Sequence, residues 1–378
     1  MSQSKARAKR LLSALPRHGP EALLDRRCYQ RPAFLNLYLD YLDEMIFRDP
    51  QAALKWAEAA PKLAVLVPEA GGPEGRKSHR EALVKAYAIL GGAYRAAGRP
   101  DEAESPFRVA LKLAASEAIS PPVLADVLQR LGYLRSCQNR QEEALELIDQ
   151  SLAIYRQTGT DPGDIGQLRA LVRRGYVLAE LRSFPEAVTC FGDVLRRINP
   201  KESEAASRTH KAATHNLAYT LSQSPRPGDA AAALPYLRQA REQIKSLPRC
   251  SQRYRLSWVE GLVWVKVGAH ARAEKAFRFA LKGFRVMALP WEIALVALDL
   301  CALLHFFGEW EELADLALET FQRFRELSGH SETVAALSLI LDAIRARKGI
   351  EAAITAARRV VEARIGSQRP ALETSLEP

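Results

Sequence analysis

For a chain of 378 residues this one has little cysteine, methionine or histidine: 5, 3 and 7 residues. The cysteines, Cys28, Cys137, Cys190, Cys250 and Cys301, are scattered and odd in number. None forms a CxxC pair and no histidines show HExxH spacing, which argues against a zinc site or a disulfide framework. Dispersed thiols of this kind suit a reducing compartment, so a cytoplasmic location is expected. There is no glycine-rich phosphate loop, no GxSxG elbow and no kinase signature, so we expect no enzyme, no cofactor and no metal. Runs of β-branched residues are scarce, which disfavours sheet. No apolar run approaches the ~20 residues that cross a bilayer. The opening MSQSKARAKRLLSAL is basic, and its apolar part is too short for a signal peptide. Neither a membrane partner nor export is expected.

What remains is rich in alanine and leucine, 48% hydrophobic and 26% charged, as in soluble helical proteins. The formal charge of +10 permits anionic partners. Part of the excess is local, in Lys5, Arg7, Lys9 and Arg10 and again in Arg345, Arg347, Lys348, Arg358, Arg359 and Arg364. Solvated helix faces are the plainer reading of both clusters, and nucleic acid stands as a secondary partner.

One stretch organises the chain. Leu90 to Leu111 reads LGGAYRAAGRPDEAESPFRVAL. Gly91 and Tyr94 share a helix face, Gly98 and Pro100 punctuate, and Ala103, Phe107 and Ala110 recur at helical spacing. Two antiparallel helices are implied, brought close by Gly91 and Ala103, with Phe107 filling the gap. Such a hairpin leaves an apolar face open and needs neighbours. Copies exist: Gly132 with Ala144 and Ile148, Gly175 with Ala187 and Phe191, and Gly261 with Ala273 and Phe277. Ala218 heads another copy, with Ala232 and Tyr236 delayed by the longer turn SPRPGD. A weaker copy runs from Leu298 to Phe321.

This pattern resembles the tetratricopeptide repeat (TPR) over roughly residues 80–325. The small positions at 91, 132, 175, 218 and 261 recur every 41 or 43 residues, longer than the usual period of 34. The resemblance implies an all-α, right-handed α-solenoid of stacked antiparallel hairpins, about 16 helices. The expected organisation is a basic segment at 1–31, an N-terminal capping hairpin and loop at 32–76, the repeat array at 77–326, a C-terminal capping hairpin at 327–365 and a disordered tail at 366–378. Within the first cap, Pro61 is expected to kink the second helix, and PEAGGPEGR (68–76) reads as a loop.

In a TPR array the first helix of each pair lines the concave groove. The residue after each small position shares a face with those two, three and six before it. That stripe carries Tyr133, Tyr176 and Tyr219 beside Arg130, Arg173, Asn216, His215, Arg169 and Trp258. Asparagine and arginine hydrogen-bond an extended backbone or a carboxylate, and tyrosine adds rigid apolar area at low entropic cost. A tyrosine at this place also serves simply to pack on the next first helix. The resemblance implies a scaffold or adaptor holding a peptide or partner helix. Bacterial peptide-sensing regulators are similar in layout, joining a short N-terminal helical region to a TPR array that compacts on ligand binding. Homo-oligomers are neither required nor excluded by the sequence.

Overall fold

The structure, a computed structural model, describes residues 10–13, 19–115, 119–159, 161, 163–244, 251–327 and 331–368. The expected tail from 369 onward, Cys250 and the basic residues Lys5, Arg7 and Lys9 lie outside them. The chain forms two compact units, one through Ala213 and the other from Thr214 to Gln368.

Unit 1 begins with α1 (Ala22–Asp25), α2 (Pro32–Arg48), α3 (Pro50–Ala57) and α4 (Ala60–Leu66). The long α5 (Gly72–Ala96) follows, and α2, α3 and α4 all pack on it. Then come α6 (Pro100–Ala114), α7 (Pro121–Cys137), α8 (Gln141–Gln157), α9 (Ile165–Glu180), α10 (Phe184–Arg197) and the first half of α11 (Glu204–Gln223). The hairpins α5/α6, α7/α8 and α9/α10 are the expected pairs. The break between α3 and α4 falls just before Pro61, whose ring cannot share the preceding turn. Asp49 caps α3 by accepting from the Ala52 amide at 2.9 Å, and Asp164 caps α9 in the same way. The segment read as a loop to Arg76 is helical from Gly72 onward.

The small residues act as inferred. A methyl built on Gly91 would meet the Phe107 ring at 2.7 Å, and one on Gly175 would meet Phe191 at 2.8 Å. Phe107 and Phe191 are fully buried. Burial of such a ring stabilises by roughly 1.5–3 kcal/mol. The turn between paired helices needs a left-handed residue. Gly98 supplies it at φ 78°, whereas the next two repeats use Asn139 (φ 61°) and Arg182 (φ 60°).

Unit 2 holds the rest of α11, then α12 (Asp229–Ile244), α13 (Ser251–Lys266), α14 (His270–Val286), α15 (Pro290–Phe307), α16 (Trp310–Leu327), α17 (Ser331–Ala346) and α18 (Ile350–Gln368). Phe277 wedges against Gly261 as its counterparts do in unit 1. The expectation that no apolar run approaches membrane length needs correcting. α15 has 18 residues of mean hydropathy 1.6, enough by length and composition alone. Its apolarity has a local cause, since α14, α16 and α18 all pack on it and 56% of it is buried. Among the described residues the fold is all-α, with 18 bounded helices against about 16 expected. Short α1 and the division at Pro61 account for the difference.

Candidate functional site

The projected stripe resolves into one network in unit 1 and a separate set in unit 2. In unit 1, α7 presents Asp126, Gln129, Arg130 and Tyr133, and α9 presents Arg169, Arg173 and Tyr176. Arg130 Nε donates to Asp126 Oδ2 at 2.7 Å, and its Nη1 donates to Asp43 Oδ1 at 2.7 Å. Arg169 Nη1 donates to the other oxygen of Asp43 at 3.2 Å. One carboxylate from α2 thus joins two arginines on successive first helices. Burial alone would raise the Asp43 pKa, but Arg130 and Arg169 outweigh it and hold the carboxyl well below the usual range. Burial also opposes charge on Arg130, and Asp126 with Asp43 more than restores it. Asp40, one turn earlier, goes the other way, raised by burial and by the Asp43 charge, with Lys85 and Arg169 opposing.

Deeper in unit 1, Arg173 Nη1 donates to Gln129 Oε1 at 2.7 Å. Gln129 Nε2 in turn donates to Asp126 Oδ1 at 3.1 Å and to the Gly166 carbonyl at 3.2 Å. Tyr133 is buried, with the Arg95 guanidinium 4.3 Å from its ring centre and Arg173 at 5.6 Å. Tyr176 meets it edge-on at 6.0 Å between centroids. Arg208, on the unit 1 half of α11, is made less basic by burial and by Arg169.

In unit 2, α11 carries His215, Asn216 and Tyr219, and α13 carries Arg255 and Trp258. Arg255 Nη2 donates to Glu292 Oε1 at 2.5 Å. Trp258 Nε1 donates to Asp299 Oδ2 at 2.6 Å, and Arg358 holds the other oxygen of Asp299. His215 and Asn216 differ. Asn216 is 3% exposed, and its Oδ1 accepts no hydrogen bond from any described residue. His215 Nε2 is shielded and likewise without a hydrogen-bond partner among the described residues. Burial, helped by Arg255, pushes the His215 pKa down to about 4, so the ring is neutral at pH 7.

The nine sequence candidates therefore divide. Arg130, Arg169, Arg173, Tyr133 and Tyr176 come together in unit 1, while His215, Asn216, Tyr219 and Trp258 lie in unit 2. Sequence reasoning missed Asp43, Arg95 and Asp299. The only signal for Asp43 was the acidic run Asp40, Asp43 and Glu44 on α2, which has no counterpart on the first helices of the repeats. Among the described residues no group of three or more His, Cys, Asp or Glu is placed to hold a metal ion.

No family model matches the sequence. No curated protein matches it either. Solved structures do. The apo form of RapI aligns over 87% of this chain and 87% of its own, with a TM-score of 0.59 and 11% identity. A Rap protein complexed with competence and sporulation factor aligns over 84% of this chain and 98% of that one, at a TM-score of 0.48 and 15% identity. A tetratricopeptide repeat protein from Parabacteroides merdae aligns over 82% and 99%, at 0.45 and 14%. At such identities the likeness speaks for the fold alone, and the chain has the TPR-like helical repeat fold.

Proposed function

We propose that the chain is a non-enzymatic cytoplasmic scaffold that holds a peptide or a partner helix on the unit 2 part of its first-helix stripe, with Asn216 as the principal polar contact. The observation that carries this reading is the unsatisfied Asn216 amide, with His215 Nε2 beside it in sequence. A buried polar atom without a partner costs about 1–3 kcal/mol. It is a poor element of a core, and a ligand whose binding uncovers it gains an acceptor for a backbone N–H. Its position matches that of Arg130 and Arg173 in the preceding repeats, and those arginines are already engaged by Asp43 and Gln129.

The test is selection from a displayed random-peptide library on the full chain. Enriched sequences should lose binding at least tenfold with Asn216→Ala while the melting temperature holds or rises. Failure to enrich any sequence over an unrelated helical protein, or binding indifferent to Asn216→Ala, would sink the reading.

The Asp43 bridge favours a second reading, a peptide-controlled regulator. A ligand carboxylate competing for Arg130 and Arg169 would displace Asp43 and loosen α2. Small-angle scattering with and without a selected peptide tests it. The change in radius should be reproduced by Asp43→Asn without peptide, and no change in either case removes the idea.

A further inference from the structure

A separate recess in unit 1 is lined by the residues of α9 that the stripe does not use. α9 runs back between α8 and α10, which share a direction, and packs on both. A half-open cavity of about 520 Å³ lies over it, within the range of small-ligand sites. The helix directions order its wall. At one end Arg174, on α9, donates from Nε to Asp149 Oδ1 at 2.6 Å and points Nη1 at Cys190 Sγ at 3.5 Å. Leu152 and Leu171 make the middle apolar. At the other end, the Tyr155 hydroxyl sits against Gly166. That brings the close of α8 beside the start of α9, and so sets Arg156 and Gln167 near one another, with Arg197 at the matching end of α10.

Three features of this wall keep hydrogen-bonding or ion-pairing capacity that no described residue takes up. Gln167 is 9% exposed, and its Oε1 accepts no hydrogen bond from any described residue. Arg156 donates to the Leu152 carbonyl at 3.3 Å but has no ion pair among the described residues. Glu186, at the start of α10 and so at the opposite end from Arg156, also has none. The remaining charges are spoken for, since Asp149 holds Arg174, and Asp193 holds Arg196 and Arg197. The groove is therefore polarised. Cationic groups and a buried acceptor stand at one end, an available carboxylate stands at the other, and leucine lies between them.

We propose that this cavity binds a short peptide with free ends. Its carboxylate pairs with Arg156 beside Arg197, its last amide N–H donates to Gln167 Oε1, an apolar side chain rests on Leu152 and Leu171, and its ammonium faces Glu186. Guanidinium and carboxylate suit one another in charge and in shape. The helix from Glu186 to Arg197 is about 16 Å long at 1.5 Å per residue. An extended peptide covers about 3.4 Å per residue. With side chains reaching inward from both ends, two to four residues fit.

The site is independent of the α11 stripe, and the test keeps the two apart. Isothermal calorimetry on the full chain would use the tripeptide Ala-Leu-Ala, its C-terminal amide and its N-acetyl form. We expect the free tripeptide to bind. Amidation should weaken it at least tenfold, acetylation several-fold, and Arg156→Ala at least tenfold with partial recovery in Arg156→Lys. Asn216→Ala should leave it unchanged. Arg156 is exposed, so its variants keep the wild-type helicity that circular dichroism checks. No heat at millimolar tripeptide, equal affinity for the amide, or indifference to Arg156→Ala would each overturn the proposal.

Discussion

The two units build the same hairpins and treat the polar groups of their first helices in opposite ways. In unit 1 the arginines of the stripe are neutralised from within, as Asp43 bridges Arg130 and Arg169 and Gln129 holds Arg173. In unit 2 the peripheral groups Arg255 and Trp258 are paired, but His215 Nε2 and Asn216 Oδ1 are not. One repeat pattern thus yields a consolidated network in one unit and buried groups with unmet hydrogen-bonding capacity in the other. The lesson is that repeat position does not decide whether a polar residue is structural or available. The neighbour that reaches it decides, and Asp43 comes from 87 residues before Arg130.

The wedges should behave alike in both units, which sets the baseline of the comparison. Phe191→Ala in unit 1 and Phe277→Ala in unit 2 are each expected to cost about 3–5 kcal/mol through lost burial and a residual cavity. Urea unfolding followed by circular dichroism would show it. A cost below 1 kcal/mol for either would mean that the wedge is not the shared device.

The polar networks should then separate the units. Asp43→Ala leaves Arg130 and Arg169 in a partly buried site without their shared acid, and is expected to cost about 3 kcal/mol. The depressed Asp43 pKa gives the sign of its pH dependence. The contribution is complete above the unfolded carboxylate value near 4 and is lost as pH falls through the lower folded value. Asp43→Asn should flatten that acid limb, and an unchanged limb would count against the bridge.

Unit 2 should respond at milder acidity. The His215 pKa lies at about 4 in the fold, against about 6.5 unfolded, so the unfolded chain takes up the proton first. Stability should fall between about pH 6.5 and pH 4, by up to about 3 kcal/mol, and be flat above that window. His215→Leu should remove the slope, as read from melting curves across pH. Persistence of the slope would assign it elsewhere.

Two smaller effects have the opposite sign. Asn216→Leu replaces an unsatisfied amide with apolar volume and is expected to stabilise by about 1 kcal/mol, whereas Gln129→Leu in unit 1 should destabilise. Arg182→Gly relieves a left-handed backbone that Gly98 already meets with glycine, for about 1 kcal/mol of gain. A loss of stability in Asn216→Leu would place that amide among the structural groups and remove the distinction between the units.

Much of this was legible beforehand, for particular reasons. Gly91, Gly175 and Gly261 and the phenylalanine sixteen residues after each are local partners in one hairpin, so their spacing reports their contact. The stripe was legible too. Helical periodicity placed Arg130, Arg173 and Asn216 at equivalent positions, and the six-before row held Asp126, Arg169 and Arg255, which all entered the networks. Asp43 was not legible, because α2 lies outside the repeat and nothing in its own helix names the partner of its carboxylate. The apolar α15 was under-read as well, since its length shows only when Asp299 is counted inside the run, paired with Trp258 and Arg358.

The sequence by itself therefore determined the hairpins, their wedges and the face on which each polar side chain lies, because a helix fixes neighbours three and four residues apart. Only the tertiary structure decided which of those polar groups are satisfied. Beyond local pairs such as Arg130 with Asp126, satisfaction depends on groups that approach from distant segments, as Asp43 does, and no local spacing encodes that approach.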